Sequence, residues 1–135
     1  MQQRINYEEI LYRAVKRSKP DWLDDKGKPT SAMFKDENGN SVDRDGERTL
    51  EEGVGFMNGG VFKGRLKGVV SLNAGECMSE PYAAEVVAAP SIENPYHANI
   101  YTCADNELIS PLQALKLADI SKVVYFDGFM KWVYL

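Results

Sequence analysis

Histidine is almost absent from this 135-residue chain, where His97 is the single one, and cysteine occurs only as Cys77 and Cys103. The two thiols stand in no C-x-x-C spacing, so neither a zinc cluster nor a disulfide framework can be assembled from the sequence. No apolar run is long enough to span a bilayer, and the opening MQQRINYEEI lacks the apolar centre of a secretory signal. The expectation is a cytoplasmic protein with no membrane partner. Cations are outnumbered too: 16 Lys and Arg face 20 Asp and Glu, leaving a net charge of -4. Nucleic-acid binding rests largely on Lys and Arg neutralising phosphates, so this balance argues against a nucleic-acid partner. The basic cluster Lys16, Arg17 and Lys19 is followed at once by Asp21, Asp24 and Asp25, which cancel most of its field.

What is present describes an ordinary globular domain. Hydrophobic residues make up 44% and charged residues 27% of the chain, and the length suits one domain, residues 1–135, with a core that needs no metal or disulfide support. Leu11 to Val15 predicts a strand with Leu11, Arg13 and Val15 on one face and Tyr12 and Ala14 on the other. Arg13 then lies between apolar neighbours and needs a partner for its charge. Thr30 to Phe34 reads as a second strand, and Ser41 to Asp43 as a brief extended piece after the turn-rich Asp36-Glu37-Asn38-Gly39-Asn40. Thr49 with Glu52 forms a capping box that starts a helix reaching Asn58, although Gly53 and Gly55 weaken it. Lys67 to Leu72 predicts another strand. Ala83 to Ala89, bounded by Pro81 and Pro90, reads as a buried strand in which Glu85 is the natural partner for Arg13. A strand from Tyr96 to Tyr101 carries His97. Ser110-Pro111 opens a helix that runs to Ser121. Val123 to Phe126, Asp127-Gly128 and Phe129 to Leu135 have the form of a two-residue β-hairpin. The fold expected is α+β: one mostly antiparallel sheet, two or three helices and a C-terminal hairpin.

Several sharp chemical readings fail on the residues. Asp36, Asn38, Asn40 and Glu47 fall at the first, third, fifth and twelfth positions of a calcium loop, but Ser41 replaces the glycine of the sharp turn and Arg44 occupies the ninth position. No metal site and no cofactor are expected. Gly27-Lys28-Pro29-Thr30 lacks the upstream glycine and the adjoining hydroxyl of a phosphate loop, and Gly53-Val54-Gly55 does not continue into a dinucleotide fingerprint. The candidate catalytic residues are Arg13, Ser31, Glu85 and His97. The order Arg13, Ser31, Glu85 resembles the arrangement of small ADP-ribosyltransferases, a likeness that implies an arginine holding a dinucleotide phosphate and a glutamate orienting the nucleophile. His97 with Ser31 or Cys77 suggests a hydrolase instead. The candidate binding residues are Asp43, Arg44 and Arg48, the densest charged run, and Trp132 in a terminal strand that is apolar on both faces.

LYR at Leu11 to Arg13, PTSAMF at Pro29 to Phe34, SVDRDGER at Ser41 to Arg48 and NPYHANI at Asn94 to Ile100 resemble a group of small uncharacterised bacterial proteins that carry LYR, SSAxF, SVDRDG and NPxHA. The blocks cover about a third of the chain. That resemblance implies a bacterial source and no particular activity. The group tends to end in a basic helical tail, where this chain has an apolar hairpin pattern. Together these features point to a non-catalytic protein-interaction module or homo-oligomer, with a nucleotide-using transferase as the alternative.

Overall fold

The computed structural model describes residues 4–35, 39–102 and 109–127. Its centre is a six-stranded sheet in the order β4-β5-β2-β1-β3-β6, with β1 at Ile10–Lys16, β2 at Asn40–Arg44, β3 at Leu66–Asn73, β4 at Glu85–Ala88, β5 at His97–Tyr101 and β6 at Lys122–Phe126. Every pairing is antiparallel. Three α-helices join it, α1 at Leu50–Gly59, α2 at Ala74–Met78 and α3 at Pro111–Ile120. The architecture is α+β, as the sequence predicts. The first arm of the predicted hairpin is β6; its second arm, with Trp132, lies outside the described residues.

β1 is buried along its middle on both faces, because it is a central strand with helices on each side. Leu11 and Val15 enter the larger core with Val42, Val70, Leu72, Ala98 and Ile100. Tyr12 and Ala14 enter a smaller core with Val54, Met57, Leu66 and Val69. α2, α3 and two 3-10 turns, Pro20–Trp22 and Ser31–Phe34, close the first face; α1 lies over part of the second.

Both long helices start where their caps require. Thr49 Oγ1 accepts from Glu52 N at 3.2 Å while Glu52 Oε1 accepts from Thr49 N at 3.0 Å, so two backbone donors that the first turn leaves free are satisfied together. Ser110 and Gln113 repeat the device at α3. Gln113 Nε2 also donates to Ala83 O at 2.7 Å, which ties the helix to the segment before β4.

Two predicted strands are corrected. Ser31–Phe34 is a 3-10 turn, not a strand: Met33 and Phe34 are adjacent yet both are fully buried in the same core, and a strand would send them to opposite faces. The strand in that region is instead β2, which the sequence marked only as a brief extended piece. Ala83 to Ala89 shrinks to Glu85–Ala88 and lies at the sheet edge. Val86 alone of the four is buried, while Glu85 and Val87 face outward.

Candidate functional site

The sheet register decides which predicted residues meet. Arg13 is 3% exposed, as expected of a cation between core neighbours, and it donates to backbone carbonyls. Nε and Nη2 donate to Met33 O at 3.1 and 2.8 Å, and Nη1 donates to Ser41 O at 2.8 Å. Trp22 stacks on its guanidinium, 4.8 Å away. Glu85 is not its partner: β4 is separated from β1 by β5 and β2, and Glu85 is exposed. Ser31 is half-buried beside α3, in a depression with Leu115 and Ala118. His97 is on the opposite face of the sheet from the Arg13 side chain. Arg13 and Ser31 are joined only through the turn that carries Met33, and Ser31, Glu85 and His97 line three different depressions, so the four do not converge in one cleft.

The charged run is also divided by the sheet. Arg44 is buried and clamps Glu9 through Nε–Oε1 at 2.7 Å and Nη2–Oε2 at 3.0 Å. Burial alone would raise the Glu9 carboxyl, but the Arg44 bond and charge and a bond from Asn6 N outweigh it and hold the carboxyl below its ordinary value. Arg48 donates to Asp45 O and Arg44 O and stacks 3.5 Å from the Tyr96 ring centroid. Arg44 is spent on the fold, whereas Arg48 Nη1 is buried with no hydrogen-bond partner among the described residues.

Asp43 is different. It is 6% exposed and stands opposite Tyr12 on β1 and His97 on β5. Arg44 N donates to Tyr96 O, which makes that pair the hydrogen-bonded one and leaves Asp43 and His97 as the adjoining pair whose side chains come closest. Asn94 Nδ2 donates to Asp43 Oδ1 at 2.9 Å. The other carboxylate oxygen has no hydrogen bond among the described residues. Burial pushes the Asp43 carboxyl above its ordinary value; the Asn94 bond and the nearby Arg48 and His97 pull the other way without offsetting it. His97 Nδ1 is 3.0 Å from Ala89 O, and since a carbonyl only accepts, Nδ1 is the donor in that contact.

These groups form the floor of a cleft of about 650 Å³ between the sheet and α1. Phe56, Met57, Val61 and Phe62 make its apolar wall, and Glu93 and Asn94 flank the opposite side. α1 can lie this close because Gly53 has no side chain: a Cβ there would come within 3.0 Å of the Tyr12 ring. Asn94 holds the far bank by accepting from Tyr96 N at 3.0 Å and bonding Ser91 Oγ through its own N–H at 3.0 Å. The sequence singled out Asp43 and His97 separately but missed Tyr12, Asn94 and the α1 wall. Asn94 had a readable signal, an Asx turn before a proline in the same block as His97.

Among the described residues, no group of three His, Cys, Asp or Glu side chains is placed to hold a metal ion, and no helix is long and apolar enough to cross a membrane. No family model, curated protein or solved structure matches the chain.

Proposed function

We propose that this is a bacterial, cytoplasmic, non-catalytic interaction module that holds a segment of a protein partner in the cleft between α1 and the sheet. The observation that carries the reading is an apolar bank left open to water above a polar floor. Phe56 is 37% and Val61 70% exposed, and Ile92, next to the lining residues Ser91 and Glu93, is fully exposed. Leaving such a bank uncovered is unfavourable unless something covers it in use. The bacterial part rests on the sequence blocks, and the cytoplasmic part on two cysteines in no disulfide framework.

The chemistry of the cleft supports a binding role over a catalytic one. Among the described residues no hydroxyl or thiol is hydrogen-bonded to His97, so no nucleophile is paired with a base. Cys77 is fully buried in the other core, and burial pushes its thiol up to about 12. A transferase built on Arg13, Ser31 and Glu85 is the weaker reading, because Arg13 is enclosed by core side chains and Glu85 stands on a distant edge.

The test is selection of a random peptide library on the protein, with Val61→Asp as counter-screen and Leu115→Asp, on the outer side of α3, as control. Binders that survive Leu115→Asp and are lost on Val61→Asp are expected. Light scattering on the same three proteins identifies self-association: a doubled mass that collapses only with Val61→Asp makes the partner a second copy. A monomer that yields no cleft-dependent peptide overturns the proposal.

A further inference from the structure

We infer that the segment seated in this cleft carries a basic side chain, lysine or arginine, whose cationic head meets Asp43 while its stem and apolar neighbours lie against Phe56, Val61 and Phe62. The inference rests on the interaction reading above and names the chemistry of the occupant. Its ground is charge complementarity. The lining contains two carboxylates, Asp43 and Glu93, and neither lysine nor arginine. The nearest arginine, Arg48, stands outside the lining, stacked on Tyr96 and bonded to two carbonyls, with Nη1 buried and without a hydrogen-bond partner among the described residues.

The free hydrogen-bonding capacity at the floor has the same sign. One Asp43 oxygen is fixed by Asn94 and the other has no hydrogen bond among the described residues, although the residue is more than nine-tenths buried. A carboxylate oxygen without a hydrogen bond among the described residues, at the base of an apolar-walled cleft, suits a group that only donates, which lysine and arginine do and acidic or apolar side chains do not. A cation on an aliphatic stem also matches the two materials of the cleft, since its methylenes cover apolar surface while its head reaches the floor. At about 650 Å³ the space exceeds one side chain, so neighbouring residues of the segment occupy the part beside Val61. The chain's net charge of -4 favours the approach of such a partner.

Two acetylated, amidated tripeptides serve as probes: lysine between two leucines, and norleucine, of similar stem length but uncharged, between the same leucines. Chemical-shift titration of the isotope-labelled protein is expected to move the amides of Asp43, His97 and Phe56, with the lysine peptide binding about tenfold more tightly than the norleucine peptide. In Asp43→Asn the preference should disappear while norleucine binding persists, which also shows that the variant is folded. Equal binding of the two peptides to the wild type overturns the basic occupant and leaves the interaction cleft standing. A preference undiminished in Asp43→Asn overturns the assignment of the floor. Absence of cleft shifts with either peptide overturns both the basic occupant and the interaction reading.

Discussion

Two buried arginines on one face of the sheet and a buried aspartate on the other are bonded in opposite ways. On the face covered by α2, α3 and the 3-10 turns, Arg13 is surrounded by carbonyl oxygens and ring faces, and Arg44 is locked to Glu9 by two short bonds. On the α1 face, Asp43 is as deeply buried but has one described hydrogen bond and an open cleft beside it. Buried polar groups are ordinarily satisfied; Arg13 and Arg44 follow that rule, whereas Asn40 Oδ1 on their face and Arg48 Nη1 have no hydrogen-bond partner among the described residues, so the contrast is between these two arginines and Asp43 rather than between whole faces. Burial by itself does not mark a functional charge; the unfilled part of its coordination does.

The largest effect should come from breaking the Arg13 network. Arg13→Ala leaves the Met33 and Ser41 carbonyls without these donors and removes the group under Trp22. Each stranded buried group costs about 1–3 kcal/mol, and the loss should be roughly 3 kcal/mol or more in urea denaturation. Lysine should not restore it, because one ammonium cannot reproduce a planar fork that reaches two carbonyls. A variant within about 1 kcal/mol of wild type would erase the contrast with Asp43. Next in size is Glu9→Gln, which strands Arg44 with a weaker acceptor and should cost about 2 kcal/mol at neutral pH. The Glu9 pKa lies below its ordinary 4.5 in the fold. Its contribution is therefore complete above pH 4.5 and disappears as the pH falls through the lower folded value. The stability gap between wild type and Glu9→Gln should close in acid.

Gly53→Ala probes the other face. Alanine favours the helix by about 1 kcal/mol, but the added methyl meets a Tyr12 ring that is itself 6% exposed and has little room to retreat. Overpacking of this kind costs about 1–3 kcal/mol, so the net change should be a loss of about 1 kcal/mol, with hydrogen exchange rising in α1 and not in α3. A stabilised variant would mean that α1 is free to shift on the sheet and that the cleft has no fixed width.

Much of this contrast was legible in the residues, and the illegible part has a physical cause. The helix starts could be read from Thr49, Glu52, Ser110 and Pro111 because capping is local chemistry. The alternation around Arg13 could be read because β1 obeys a period of two. Ser31 to Phe34 misled because a short run of apolar residues suits a strand or a tight turn equally, and only the core decides. The partner of Arg13 could not be read because backbone carbonyls carry no sequence signature. The meeting of Asp43 with His97 depends on the register of β2 against β5, which two separated segments do not reveal until they pair.

The smallest effect, and the one of opposite sign, is Asp43→Asn. Asparagine keeps an oxygen for the Asn94 amide and removes the charge that burial disfavours. Because the folded carboxyl titrates above its ordinary 3.8, wild-type stability is fullest below pH 3.8 and is lost as the pH rises through the folded value. The asparagine variant carries no such loss. It should match the wild type in acid and exceed it near neutrality by on the order of 1 kcal/mol, measured as paired thermal or urea unfolding curves across that range. Glu9→Gln and Asp43→Asn are both carboxylate-to-amide changes on buried acids, yet their pH profiles should diverge in opposite directions above pH 4.5. A carboxylate that lowers the stability of the free protein and confers preference for a cation on the cleft is the form a stability–function trade-off takes here. If Asp43→Asn instead loses stability at neutral pH, Asp43 belongs with Arg13 and Arg44 among the structural charges, and the contrast between them reduces to a difference in packing.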